Sequence, residues 1–462
     1  MPSRAAAGRA VSEARWSSKL GFMLGAVGAA VGLGSIWRFP YLAGAGGGFA
    51  FIAVFVVACL VFGAPVLVAE TVLGRWSRAC PQQAAGVIAR RYGFTTRWNV
   101  VGWTGPIAGF LIVSYYTMIA GWVLAYTWFF LTGQYVHGTA AAVARFHAFT
   151  ADSPTVSLWQ LGFFALVTLT SARGVNRGVE FANRWRAPAL LAILLVLVAY
   201  SLATGDVERG LKFAFAPDLS RLTPSVLLGA VGQACFALGI SAGIIVAYGA
   251  YMPAGEPLGR SVVAVIGSIL VVSMLATVVI FPLVFHYGLD PAGGVDLVFQ
   301  VLPVAFAEMP GGRFIGTLFF ALLVLAAFTP SLGLLEPWIA WLMARFGLRR
   351  TTAAGLVMGA SWLLGQLAVL SFGRLSAWHP LNGLGRLGDY NAFGLLDFLS
   401  SSVLMPLSAL LVSAFVGWRI GARLPAEELS GLSPRLRGLT LFALRYLCPI
   451  GLAVVLVIGL AG

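Results

Sequence analysis

The chain has 462 residues, of which 59% are hydrophobic and 10% charged, and its mean hydropathy is +0.90. That composition excludes an ordinary soluble globular domain, because apolar spans of about 20 residues recur from end to end. A net charge of +14 would suit a nucleic-acid binder, but the placement of the basic residues excludes that class.

Taken in order, the spans number eleven. Helix 1 is expected over about 20–45 with a break near Ala30 to Ser35, and helix 2 over about 50–74 after a turn at Gly46 to Gly48. A basic inner loop, 75–97, leads to helix 3 at about 98–131. The outer loop 132–155 precedes helix 4 at about 156–172 and helix 5 at about 180–203. Helix 6 spans about 224–252 with an interruption at 236–243, helix 7 about 260–287, and a short outer helix falls within 289–312. Helices 8, 9, 10 and 11 follow at about 313–344, 352–372, 391–420 and 438–460. The domain division is then 1–19 as a cytoplasmic N-terminal segment, 20–203 as a first repeat of five helices and 204–223 as an extracellular loop. A second repeat covers 224–421, and 422–462 holds an inner loop and helix 11.

With the N-terminus in the cytoplasm, 21 Lys and Arg residues fall on the inner side and 7 on the outer, leaving Arg38 and Arg445 in or at helices. This is the positive-inside asymmetry of an integral membrane protein. The expected partner is the lipid bilayer, not nucleic acid. Cys59, Cys80, Cys235 and Cys448 are scattered with no metal-ligand spacing. No cofactor is expected beyond a coupling ion.

The stretch from Gly25 to Pro40 lies inside an apolar span yet breaks the rules for a membrane helix. Its glycines loosen the backbone, Arg38 brings a permanent charge and Pro40 removes a donor. In lipid, loosened backbone must find partners within the protein or line a wet cavity. The same groups are good ligands for an ion and for a small zwitterion. Helix 6 is interrupted at matching depth, five helices later. Five is odd, so the two halves insert upside down relative to each other, and paired interruptions point to a transport site at mid-membrane.

The residues that carry this argument also carry a resemblance. Gly32-Leu-Gly-Ser-Ile-Trp-Arg-Phe-Pro-Tyr41 resembles the helix 1 signature of the neurotransmitter:sodium symporters. Gly232-Gln-Ala-Cys-Phe-Ala-Leu-Gly and Tyr248-Gly-Ala-Tyr251 resemble their helix 6, and Ile280-Phe-Pro, Leu302-Pro-Val-Ala-Phe and Leu396-Asp-Phe398 their later segments. The resemblance runs over nearly the whole chain and looks like the bacterial eleven-helix branch. It implies an all-α polytopic membrane protein with the leucine-transporter fold, an inverted five-plus-five repeat with broken helices 1 and 6.

The resemblance also implies a site. A substrate carboxylate would meet the amides of Leu33 and Gly34 and the hydroxyl of Tyr116, with Gly32 leaving room where the family's amine transporters place an Asp. The ammonium would meet carbonyls of Ala30, Phe236 and Ala237. Ile112, Phe236, Gly239, Ala242, Pro330 and Leu334 would line a side-chain pocket, apolar and small at Gly239 and Ala242, which suits a bulky apolar or aromatic amino acid. Arg38 and Asp397 resemble the outer gate pair, Tyr116 and Phe236 the aromatic lid, and Trp16 part of the inner gate. Gly178 and Pro188 match the family's spacing for unwinding the inner part of helix 5.

The chain departs from the family at its ion sites. Carried over, the second sodium site keeps Gly28, Val31, Ala326 and Thr329, but Pro330 stands where a second hydroxyl is expected. That leaves four oxygens for an oxygen-seeking cation that takes about five or six. The first sodium site has Ser35, Ala237 and Ile269, or Ser268 with a one-residue slip, and is expected to hold no sodium. Phe55 and Ala237 replace chloride ligands near Ser273, so no chloride dependence is expected. At the inner gate Glu13 and Ala344 stand where an Arg and its Asp partner are expected, which predicts a weakened inner closure.

The expected function is secondary active transport of an apolar or aromatic amino acid by alternating access in a bacterial inner membrane, coupled to one sodium ion at the helix 1–helix 8 site. A proton-coupled or uncoupled carrier and a non-transporting amino-acid sensor remain open. An enzyme is not expected, because Glu70, Glu180, Glu336 and the few histidines form no acid–base or metal spacing. Glu70 and Glu336 are expected to be structural.

Overall fold

Helix 1 winds regularly over Lys19–Ala30 and stops at Val31 and Gly32. It restarts as a widened π turn over Gly34–Arg38 and continues over Phe39–Ala45. The computed structural model describes residues 16, 19–252, 257–291, 297–383, 385–423, 429 and 432–461. Helix 6 breaks in the same way. Its outer half is Pro224–Ala237 and its inner half Ile244–Ala250. Between them Gly239, Ser241 and Gly243 adopt left-handed backbone with φ of 62°, 67° and 79°. Ser241 is the strained member, since a residue with a Cβ rarely sits there. Its amide donates to Oε1 of the buried Glu70 at 2.8 Å, which gives the loosened backbone a partner inside the protein.

The two breaks face each other. Nε2 of Gln233, on helix 6, donates to the Gly34 carbonyl on helix 1 at 2.7 Å. Around them stand nine described helices long and apolar enough to cross a membrane: helix 2 over Phe49–Ser77, helix 3 within Arg97–Thr132, helix 4 over Ser153–Ala172, helix 5 within Arg177–Thr204, helix 7 over Leu258–His286, helix 8 over Gly312–Phe346, helix 9 over Arg350–Leu370, helix 10 over Ala392–Ile420 and helix 11 over Pro434–Leu460. With the two broken helices these make the eleven expected spans. Three loops expected to be irregular hold short helices instead: Pro81–Arg91, Thr139–Ala151 and Val207–Phe215. They are too short to register as spans, and they start at local stop-and-start chemistry. Pro81 occupies a first-turn position, and the Asp206 carboxylate accepts the Arg209 amide at 3.1 Å.

Helix 8 packs along helix 3, where Nε1 of Trp338 donates to the Pro106 carbonyl at 2.8 Å. Helices 3, 4 and 9 are joined by a polar thread. Nε2 of Gln160 donates to the Ser114 carbonyl at 3.0 Å, and Nε2 of Gln366 donates to Oε1 of Gln160 at 3.1 Å. Such bonds hold helices together where lipid offers no hydrophobic drive. The outer faces carry Leu158, Trp185, Leu363 and Val457, all exposed, as suits surfaces that meet acyl chains.

Candidate functional site

A cavity of about 420 Å³ lies between the two breaks, lined by Ala29, Ala30, Gly32, Gly34, Ile112, Tyr116, Phe236, Ala237, Gly239, Ala242, Ile244, Pro330, Leu334 and Met405. Every substrate residue expected from the sequence lines it except Leu33, whose side chain is buried. Leu33 contributes its backbone instead, because its amide donates to the Tyr116 hydroxyl at 3.4 Å. Ala29, Ile244 and Met405 were not foreseen. All three are apolar and extend the pocket without changing its character.

Two glycines are required by close approach. A Cβ at Gly32 would stand 2.6 Å from Cγ of Pro330 and 3.4 Å from the Tyr116 hydroxyl. A Cβ at Gly34 would stand 2.8 Å from Cδ1 of Phe236. Any side chain at Gly32 would fill the space beside Pro330 and Tyr116. The polar groups of the cavity are thus backbone amides and carbonyls at the break plus one hydroxyl, set in an apolar wall. Such a lining has the chemistry of a small-molecule pocket, a few polar groups set in an apolar wall.

On the outer side, Phe236 and Met405 also line a second cavity of about 830 Å³ that contains Arg38 and Gln233. Phe236 therefore separates the inner pocket from an outer vestibule. The Arg38 guanidinium lies over the Phe236 ring, 4.6 Å from its centroid. Asp397 accepts from the Tyr115 hydroxyl at 3.0 Å. Arg38 and Asp397, the expected outer gate pair, form no direct ion pair; Arg38 faces Phe236 and Asp397 faces Tyr115.

On the side of the breaks away from the vestibule, the side chains that meet include Trp16, expected at the inner gate. Tyr251 donates to Oε1 of Glu336 at 2.8 Å, and NH1 of Arg350 donates to the same oxygen at 2.9 Å. Nε of Arg350 reaches the Ser171 carbonyl at 2.7 Å. Arg78 donates to the Ala250 carbonyl at 3.2 Å and to that of Met252. Trp16 packs edge-on against Tyr248 with ring centroids 5.3 Å apart. Glu13 lies outside the described residues. Helices 8 and 9 thus carry an ion pair, Glu336–Arg350, in this region, and Ala344, expected at the inner gate, is buried.

The helix 1–helix 8 ion site is where the structure differs most from expectation. Pro330 removes the amide that would bond the Ala326 carbonyl, which explains why helix 8 has free acceptors at this level. The neighbouring Leu325 carbonyl and the Gly28 carbonyl of helix 1 are taken by an arginine. NH1 of Arg186, from helix 5, donates to the Leu325 carbonyl at 2.7 Å, and NH2 donates to the Gly28 carbonyl at 3.2 Å. The Thr329 hydroxyl donates to Oδ1 of Asn183 at 3.0 Å. Of the four expected ligands, the Gly28 carbonyl is thus already engaged. A sodium ion does not fit this donor set while Arg186 occupies it. At the other ion site Ser35, Ala237, Ile269 and Ser273 are all buried.

Arg186 belongs to the buried face of helix 5. The signal that marks it is periodic. Asn183, Arg186, Leu190, Leu194, Leu197 and Ser201 form the buried stripe of helix 5, whereas Arg184 and Trp185 are exposed. The inner end of that helix is a π turn over Val175–Glu180, in the region where Gly178 suggested unwinding.

The description "Sodium:neurotransmitter symporter family" fits residues 13–142 and 151–377. An uncharacterized sodium-dependent transporter of Bacillus subtilis is 35% identical over 422 residues, covering 90% of each chain. An uncharacterized sodium-dependent transporter of Haemophilus influenzae is 30% identical over 410 residues, covering 87% of this chain and 88% of its own. The crystal structure of MhsT in complex with L-phenylalanine superposes with a TM-score of 0.88 at 36% identity, over 96% of this chain and 99% of that one.

Proposed function

Since the chain belongs to the sodium:neurotransmitter symporter family and is an integral membrane transporter, we propose that it carries an apolar or aromatic amino acid across a bacterial inner membrane by alternating access. The observation that carries this reading is the cavity at the two helix breaks, with the Leu33 amide and Tyr116 hydroxyl side by side beside Gly32. They form one polar corner in an apolar pocket of about 420 Å³. The carboxylate docks at that corner, the ammonium at the carbonyls of Ala30, Phe236 and Ala237, and the side chain among Ile112, Gly239, Ala242 and Leu334. Phe236 covers the pocket from the vestibule, and Glu336, Arg350 and Trp16 close it from inside. The two closures open in turn. Related MhsT binds L-phenylalanine, which supports an aromatic substrate here.

Two readings of the driving force have separate support. The relatives' names support sodium coupling, with one ion near Gly28 and Thr329, which requires Arg186 to move away. The hydrogen bonds from Arg186 to Gly28 and Leu325 support a carrier that needs no sodium. A thermal-shift screen of the twenty amino acids, each in sodium, potassium and choline, tests substrate and ion together. Stabilisation confined to large apolar amino acids is expected, and stabilisation by none of them refutes the carrier assignment.

A further inference from the structure

Arg186 is a buried cation within a membrane-spanning helix, 5% exposed. Such a charge is costly and marks function by default. Its surroundings contain no anion to explain it. Among the described residues, the ionisable groups that act on it are the tyrosines Tyr116 and Tyr248, not a carboxylate. Its partners are backbone carbonyls from the two helices that meet at the break, Gly28 on helix 1 and Leu325 on helix 8.

The packing holds it there. A Cβ at Gly28 would stand 2.6 Å from Oδ1 of Asn183, 2.9 Å from NH2 of Arg186 and 2.9 Å from Cγ2 of Thr329. Helices 1, 5 and 8 converge on that glycine, and Asn183 and Arg186 lie on the same face of helix 5. Asn183 accepts from Thr329 at 3.0 Å, so helix 5 also takes the proton of the Thr329 hydroxyl. A guanidinium and a sodium ion cannot share two carbonyls without strong repulsion, because nothing negative stands between them.

We propose that the Arg186 guanidinium is a tethered cation that takes the place of the coupling sodium ion, so that this chain binds and carries its amino acid without sodium. The proposal rests on the carrier reading above. It also answers a question that reading raises. A buried substrate carboxylate needs a nearby positive charge, and Arg186 acts on Tyr116, the hydroxyl that marks the carboxylate corner. An arginine does not release its proton in a protein, so this site supplies no proton coupling either. The carrier then runs as an exchanger or an equilibrative carrier of a zwitterion and moves no net charge.

The test uses the detergent-purified full chain, radioactive sodium and L-phenylalanine as probes. Wild type is expected to show no saturable sodium binding and the same phenylalanine affinity in sodium as in choline. Arg186→Ala frees both carbonyls. Its phenylalanine affinity in choline should fall about tenfold to a hundredfold, the range of one lost charge partner. Sodium should restore part of that loss, together with saturable sodium binding. Saturable sodium binding by wild type, abolished by Thr329→Ala, overturns the proposal, as does a sodium-dependent rise in wild-type phenylalanine affinity. If Arg186→Ala does not fold, the wild-type measurements decide alone. Failure of wild type to bind phenylalanine in either salt counts against the substrate reading, while the sodium measurement still decides the role of Arg186.

Discussion

The sharpest consequence of the site geometry concerns one oxygen atom. Tyr116 is buried, and its hydroxyl accepts the Leu33 amide across 3.4 Å. That bond is long, so in the empty protein it contributes less than the ~1 kcal/mol of a well-formed neutral hydrogen bond. With an amino acid bound, the same hydroxyl donates to a carboxylate, and a bond to a charged acceptor contributes about 1.5–3 kcal/mol. At about 1.4 kcal/mol per factor of ten, Tyr116→Phe should weaken L-phenylalanine binding roughly 10- to 150-fold and leave the melting temperature of the empty protein almost unchanged. The assay is a dissociation constant for L-phenylalanine and for L-phenylalaninamide, on wild type and variant. The amide lacks the anion, so the variant should cost it about threefold or less, and the double difference isolates the hydroxyl–carboxylate pair. Equal losses for both ligands would refute the placement of the carboxylate at Gly32.

Three further perturbations separate the parts of the account. Ala242→Leu fills the pocket wall, so binding of phenylalanine should fall by more than ~100-fold while that of alanine changes by a few-fold, because an over-filled pocket rejects by size. Glu70→Ala leaves the Ser241 amide buried and unpaired, a cost of about 1–3 kcal/mol. Glu70→Gln keeps an acceptor and should melt within a degree or two of wild type. A melt in which the two variants behave alike contradicts the role given to Glu70. Glu336→Ala strips the half-buried Arg350 of its anion, a loss of up to about 3 kcal/mol, below that of a fully buried pair. Label-to-label distances between the inner ends of helices 1 and 8 should lengthen in that variant, and distances unchanged from wild type contradict an inner-gate role for Glu336 and Arg350.

The architecture was legible because membrane burial writes itself in length. Eleven spans, their order and both interruptions follow from apolar runs and from glycine clusters near Gly32 and Gly239. The pocket was legible because it is built from backbone, whose position follows once helices 1 and 6 are aligned with each other. What stayed hidden depends on which side of a helix a residue faces. Arg184 and Arg186 look alike in a sequence, yet one is exposed and the other bridges two helices. Glu336 and Arg350 are separated by a turn and lie on different helices, so their pairing needs the fold. The short helices of the loops were missed for a third reason, since they are held by caps and neighbours rather than by a long apolar run.

The central claim is that the cavity between the two broken helices carries an amino acid from one side to the other. Counterflow in proteoliposomes tests it most directly: vesicles loaded with unlabelled L-phenylalanine, the same salt on both sides, and radioactive L-phenylalanine outside. The account predicts a transient accumulation of label that Tyr116→Phe slows and Ala242→Leu abolishes. Saturable binding of phenylalanine with no accumulation of label would contradict it and leave a binding protein in place of a carrier.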